Sequence, residues 1–143
     1  MGRCPDDLDA LALNWIIAGT DAHAKNYSVL LAAGQARLAP LYDVASALAY
    51  DDMYPPRLRS AMRIGGEYRI EAIVRRHWQR FCAANRLNEN ETLGRMPTLA
   101  ERLPDCFTQA AKAKPVRALR SRLPGRLVDR IAERVKQCRQ AFA

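Results

Sequence analysis

The stretch from Leu8 to Ala18, L-D-A-L-A-L-N-W-I-I-A, most constrains how this chain folds. Leu8, Leu11, Leu13, Trp15, Ile16 and Ile17 fall on nearly every side of a helical period. A helix that is apolar all round has no solvent face, so it must be a buried central element. Asp6 or Asp7 is placed to cap its start, and Gly19 to end it in a left-handed conformation. Thr20 and Asp21 are thereby delivered straight from the core into a loop.

Around that element the pattern predicts a mainly α fold with one short β-hairpin. Tyr27–Ala32 and Ala36–Leu41 read as strands turned around Ala33-Gly34-Gln35, and Pro40 keeps the second strand short. Asp43 leads into a small helix from Val44 to Tyr50. Residues 51–66 read as irregular, with Pro55-Pro56 and Gly65-Gly66 as breakers. Three amphipathic helices follow. The first carries Ile70, Ile73, Val74, His77, Trp78, Phe81 and Cys82, with His77 and Trp78 as core. The second runs from Asn90 to Ala113, interrupted or restarted near Pro97 and Pro104. The third starts near Pro124 and presents Leu127, Ile131, Val135, Cys138 and Phe142 on one side.

A chain of 143 residues is most simply one domain, here 1–143. Its 49% hydrophobic and 27% charged content is that of a soluble globular protein, not of a disordered chain. The apolar run at residues 8–18 carries Asp9 and Asn14 and is too short to span a bilayer, and the N-terminus resembles no secretory signal, so a cytoplasmic location is expected. Cys4, Cys82, Cys106 and Cys138 form no C-x-x-C pair and read as reduced, buried thiols. The net charge of +8 is uneven: 11 Lys/Arg face 4 Asp/Glu from Glu101 onward. Such a tail is either a solvated helix face or a surface for nucleic acid or an acidic partner. Arg126, Arg130 and Arg134, spaced four apart, are its most regular feature.

The chemistry concentrates in residues 19–46. Asp21 and Asn26 have the D-x-x-x-x-N spacing of a kinase catalytic loop, in which the Asp orients the acceptor hydroxyl and the Asn holds magnesium. Asp43, beyond the hairpin, supplies a second hard oxygen ligand of the kind magnesium prefers. His23 and Lys25 can donate to phosphate or fix the loop. Each residue also has a plainer role. Asp21 can bond its own backbone in a turn, Asp43 can cap the helix at Val44, Asn26 can be a turn residue, Lys25 can be solvated, and His23 can be a satisfied loop histidine.

The longer matches N-W-I-I-A-G-T-D-A-H-A-K-N-Y-S, L-A-P-L-Y-D-V-A-S and L-R-S-A-M-R-I-G-G-E, followed by a helix containing H-W, resemble the HipA family of serine/threonine kinases, toxins of bacterial toxin–antitoxin systems. The resemblance covers about residues 8–90 and implies the helical C-lobe of a kinase-like fold. It implies Asp21 as catalytic residue, His23, Ala24, Lys25, Asn26, Tyr42 and Asp43 as nucleotide-binding residues, and Asn26 and Asp43 as metal ligands. The implied cofactors are ATP and Mg2+. The implied partner is a helix-turn-helix antitoxin and, through it, operator DNA, with Arg75 and Arg76 as contact candidates.

A kinase grips ATP with an N-lobe ahead of its catalytic loop. Here twenty residues precede Asp21, none of them lysine, and the glycines form no G-x-G-x-x-G. The expectation is a C-lobe that is inactive until a missing N-lobe is supplied in cis or in trans. The alternative is a non-catalytic kinase-like module that binds an antitoxin or operator DNA.

Overall fold

The computed structural model describes residues 5–53 and 57–142, with side chains from Leu8 onward. Cys4, Pro55-Pro56 and the capping side chains of Asp6 and Asp7 lie outside the described residues. Helix α1 spans Pro5–Ile16 and is the buried central element its sequence demands: Leu11, Ala12, Trp15, Ile16 and Ile17 are all buried. It packs against the long helices α3 (Glu89–Lys112) and α5 (Leu123–Phe142), which also pack on each other. Helix α2 (Arg75–Asn85) and the five-residue α4 (Lys114–Ala118) complete the helical part.

Two antiparallel hairpins, not one, accompany the helices. Strands β1 (Val29–Ala32) and β2 (Gln35–Leu38) pair from Val29↔Leu38 to Ala32↔Gln35 around a two-residue turn, Ala33-Gly34. Both turn residues have positive φ, 50° and 74°, so the turn twists with the strands. The second hairpin, β3 (Arg59–Ile64) and β4 (Glu67–Arg69), occupies a region expected to be irregular. Gly65-Gly66 is its turn, with φ of 56° and 93°. Ser60, Met62 and Ile64 turn towards the protein while Arg59, Ala61 and Arg63 face solvent, the period of two that a half-buried strand requires.

Helix α3 also departs from expectation, because it runs unbroken through Pro97 and Pro104. Each proline removes one backbone donor, yet Leu93, Met96, Ala100 and Leu103 keep one continuous buried stripe across both. Tertiary burial outweighs the local penalty. The core is organised on Trp15. Its ring meets Trp78 and Phe142 edge-on at 5.6 and 5.5 Å, and its Nε1 donates to the Ile70 carbonyl at 3.0 Å. Cys82 and Cys138 are buried free thiols, as expected, but Cys106 is exposed on the outer side of α3.

The arginine row of α5 is not a free basic face. Arg134 is buried, lies over the Trp15 ring at 5.4 Å and donates to the Ile70 carbonyl at 3.2 Å. Arg126 and Arg130 both close on Asp51, at 2.6 and 2.7 Å. The four-residue spacing therefore serves internal contacts.

Candidate functional site

The site begins where α1 ends. Gly19 N–H donates to the Asn14 carbonyl at 2.7 Å and Ala18 N–H to that of Trp15 at 3.3 Å, the paired bonds of a Schellman terminus. Ala18, rather than Gly19, adopts the left-handed conformation, with φ of 54°. Gly19 is required for a different reason: a Cβ there would lie 2.7 Å from Asn14 Oδ1 and 3.3 Å from the Ala45 carbonyl. The glycine is a close-approach point, not a backbone hinge.

The two carbonyls left over at this terminus are taken by the segment that follows the first hairpin. Ser46 Oγ donates to the Ile17 carbonyl at 2.5 Å, and Ala47 N–H to that of Ala18 at 3.1 Å. Ser46 Oγ also accepts from Leu48 N–H and so caps the 3-10 turn Ala47–Ala49. This docking answers two expectations. No helix begins at Val44, and Asp43 is not its cap. Asp43 instead sits exposed with a φ of 53°, a conformation that Asp tolerates better than most residues.

The loop between these anchors is held by its own polar groups. His23 N–H and Asn26 Nδ2 both donate to the Asp21 carbonyl, at 2.8 and 3.0 Å, and residues Ala24–Asn26 form a 3-10 turn. Asn26 thus fixes the loop with its amide nitrogen, leaving Oδ1 as the end available to a metal. Asp21 is exposed, and its carboxylate makes no bond among the described residues. Ala24 and Lys25 are exposed in the same turn. His23 is half-buried, and its Nδ1 meets no hydrogen-bond partner among the described residues, unlike a satisfied loop histidine.

Tyr42 closes the arrangement. Its hydroxyl donates to the Lys25 carbonyl at 2.9 Å and lies 3.0 Å from Ser28 Oγ, tying the residue before Asp43 to the loop that carries Asp21 and Asn26. Sequence distance is bridged here by one phenol. From beneath, the buried Asn14 donates to the Ala10 carbonyl at 3.0 Å and to the Tyr27 hydroxyl at 2.9 Å. Burial raises the Tyr27 pKa, opposed by that bond, so the phenol stays protonated. Asn14 and Ser46 are the positioning residues that sequence reasoning missed. A polar residue on every other count out of place in an all-apolar helix was the available signal for Asn14.

Asn26 Oδ1 and the Asp43 carboxylate are hard oxygen groups. An amide oxygen on Asn26 and the Asp43 carboxylate suit magnesium, which is commonly held by one or two protein oxygens while keeping several waters. No three His, Cys, Asp or Glu side chains converge among the described residues. Beside the loop, Leu11, Ala24, Tyr27, Val29, Met62 and Phe81 line an open, mostly apolar cavity of about 400 Å3. Arg75 and Arg76 stand apart, exposed at the start of α2, where Arg75 donates to the Phe142 carbonyl at 3.3 Å and neither bonds the loop.

Comparison with known proteins places the chain in a family and a fold. The family described as HipA-like C-terminal domain matches residues 5–138. A Sinorhizobium fredii (strain NBRC 101917 / NGR234) protein named "Putative kinase Y4mE" is 39% identical over 75 residues, covering 52% of this chain and 17% of that protein. Among solved structures, a chain of the Shewanella oneidensis MR-1 toxin–antitoxin complex of HipA, HipB and operator DNA superposes with a TM-score of 0.68 at 22% identity. That match covers 95% of this chain and 33% of the other, so this chain corresponds to about a third of its structural relative's length. No described helix is long and apolar enough to cross a membrane.

Proposed function

The chain belongs to the HipA-like C-terminal domain family, and from that premise we propose that it supplies the catalytic loop and metal ligands of a serine/threonine protein kinase. The reaction is transfer of the ATP γ-phosphate to a protein hydroxyl, as the toxin of a toxin–antitoxin pair, and it depends on an N-lobe in cis or in trans. The observation that carries this reading is the Tyr42–Lys25 bond, which holds the Asp43 segment against the Asp21–Asn26 loop. Magnesium and ATP would supply the transferable phosphoryl group and neutralise its charge. Asn26 Oδ1 and the Asp43 carboxylate are the groups to hold the metal. The Asp21 carboxylate, free and exposed, is the group to orient the acceptor hydroxyl and take its proton.

Lys25, in the same turn, can donate to phosphate, and Ala24 leads into the apolar cavity, which lies in the size range of small-molecule sites. Most of the rate in such a transfer comes from position and excluded water, so the floor alone should turn over little substrate. Calorimetric titration with Mg·ATP tests the reading directly. Binding that disappears in Asp43→Asn supports it. With an N-lobe added, transfer should appear, and Asp21→Gln should abolish it. No transfer from a folded, completed protein would falsify the catalytic assignment.

The proposed partner is a helix-turn-helix antitoxin and, through it, operator DNA; the support is that the structural relative belongs to a toxin–antitoxin complex of HipA, HipB and operator DNA. A purely binding module keeps one specific support, the exposed Arg76 beside Arg75 on α2. The α5 arginines no longer argue for it. Phosphate contacts release counterions, so DNA binding through α2 should weaken steeply with salt and flatten in Arg75→Ala/Arg76→Ala.

A further inference from the structure

Among the described residues, Arg134 is a buried cation without a carboxylate partner. It is 7% exposed, and its guanidinium bonds the neutral Ile70 carbonyl at 3.2 Å and Gln137 Oε1 at a weak 3.5 Å. Its Nε–H is buried and meets no acceptor. The Trp15 ring on one side offers a cation–π contact, which does not satisfy an N–H. Buried guanidinium groups are normally matched by an anion, because an uncompensated buried charge is costly.

Beside Arg134 is a cavity of about 120 Å3, reached between the end of α1 and α5. Ala18, Leu48, Leu58 and Ile70 give it apolar walls. Arg130 also lines it, already engaged by Asp51. Glu71 and Glu133 line it too, and neither pairs with Arg134; Glu133 binds Lys136 at 3.2 Å. A volume of that size exceeds what a single water needs, and a planar guanidinium fork matches a carboxylate in geometry.

We infer that this cavity binds a small aliphatic carboxylate, whose oxygens pair with Arg134 while its short chain lies against Leu48 and Leu58. The two glutamates disfavour a dianion such as phosphate, and the apolar walls favour an alkyl tail over a bare inorganic ion. The site is separate from the Asp21–Asp43 loop, although it touches Ala18, whose carbonyl anchors the segment after Asp43, and Leu48, whose N–H is capped by Ser46.

The test is titration of the whole chain with butyrate, with inorganic phosphate and sodium chloride as controls. The readout is the NMR signal of the Arg134 Nε–H, assigned by its loss in Arg134→Lys. Butyrate should give a saturable shift and raise the thermal midpoint, whereas phosphate should do no more than chloride. Leu48→Phe, which fills the cavity and keeps the guanidinium, should weaken butyrate by about tenfold or more. A butyrate response that tracks ionic strength, or that survives Leu48→Phe unchanged, overturns the proposal. So does movement of the ligand-free signal in Glu71→Gln or Glu133→Gln, since one of the chain's own carboxylates would then be the partner.

Discussion

The two hairpins have the same length of turn and the same backbone trick, yet they are held in opposite ways. The β1–β2 hairpin stands out from the protein, with Val29 and Leu31 at 59% and 81% exposure. It is fixed at its base, where Ala39 N–H bonds the Ser28 carbonyl and Tyr42 reaches the loop. The β3–β4 hairpin lies on the core: Ile64 is fully buried and the turn presses on the first turn of α2. One hairpin is a spacer between two proposed site residues. The other is part of the fold.

Their turn glycines make the difference measurable. Gly34 and Gly65 both have positive φ, 74° and 56°, so alanine carries a similar conformational penalty at each. A Cβ on Gly34 meets nothing within 4 Å, whereas one on Gly65 would lie 1.9 Å from the His77 carbonyl oxygen. Gly65→Ala should therefore cost about 3 kcal/mol or more, overpacking added to strain. Gly34→Ala should cost about 1 kcal/mol, from strain alone. Urea unfolding of both variants checks the pair, and equal losses would mean that the β3–β4 turn is not seated on α2.

Asn14→Ala sits between these in size. It removes the bonds to the Ala10 carbonyl and the Tyr27 hydroxyl and leaves a half-buried phenol short of a partner, about 2 kcal/mol. Its effect should extend to the loop: hydrogen exchange at residues 21–27 should quicken more than at residues 59–69. Uniform quickening would show that Asn14 supports the core and not the loop in particular. Leu31→Lys, on the spacer hairpin, should change stability by less than about 0.5 kcal/mol, because its side chain is already in water. A larger loss by thermal melting would contradict the view that this hairpin is held only at its base.

These contrasts explain what could be read in the chain. Helix α1 was legible because an all-round apolar pattern has one physical solution, and the β1–β2 hairpin because two short strand-like segments flank a glycine turn. The β3–β4 hairpin was missed because Gly65-Gly66 was weighed as a breaker, although a glycine pair between alternating residues is also a hairpin signal. The prolines in α3 misled for the reason that local penalties are visible in sequence and burial is not. The candidate residues Asp21, Asn26 and Asp43 stood out through spacing. What joins them, Tyr42 to the Lys25 carbonyl and Ser46 to the Ile17 carbonyl, runs through backbone groups that no side-chain pattern records.

The smallest expected effect belongs to Glu67, at the start of β4. Its carboxylate accepts the backbone N–H of Arg69, pairs with that side chain at 3.3 Å and accepts the N–H of Tyr68. These bonds, the Arg69 N–H foremost, lower its pKa to about 2 from 4.5. The folded state therefore binds this proton less readily than the unfolded chain. The stability it contributes is present above pH 4.5 and is lost as pH falls towards 2. The Glu67–Arg69 pair lies at the surface, with Arg69 exposed and Glu67 half-buried, which keeps the contribution modest. Wild type should exceed Glu67→Gln in stability at pH 6, and the gap should close steadily below pH 4.5. The β1–β2 hairpin has no carboxylate within its strands, so Gly34→Ala should show no change in its penalty over the same range. A gap between wild type and Glu67→Gln that stays constant from pH 6 to pH 3 would mean that the β4 bonds hold Glu67 by shape and not by charge.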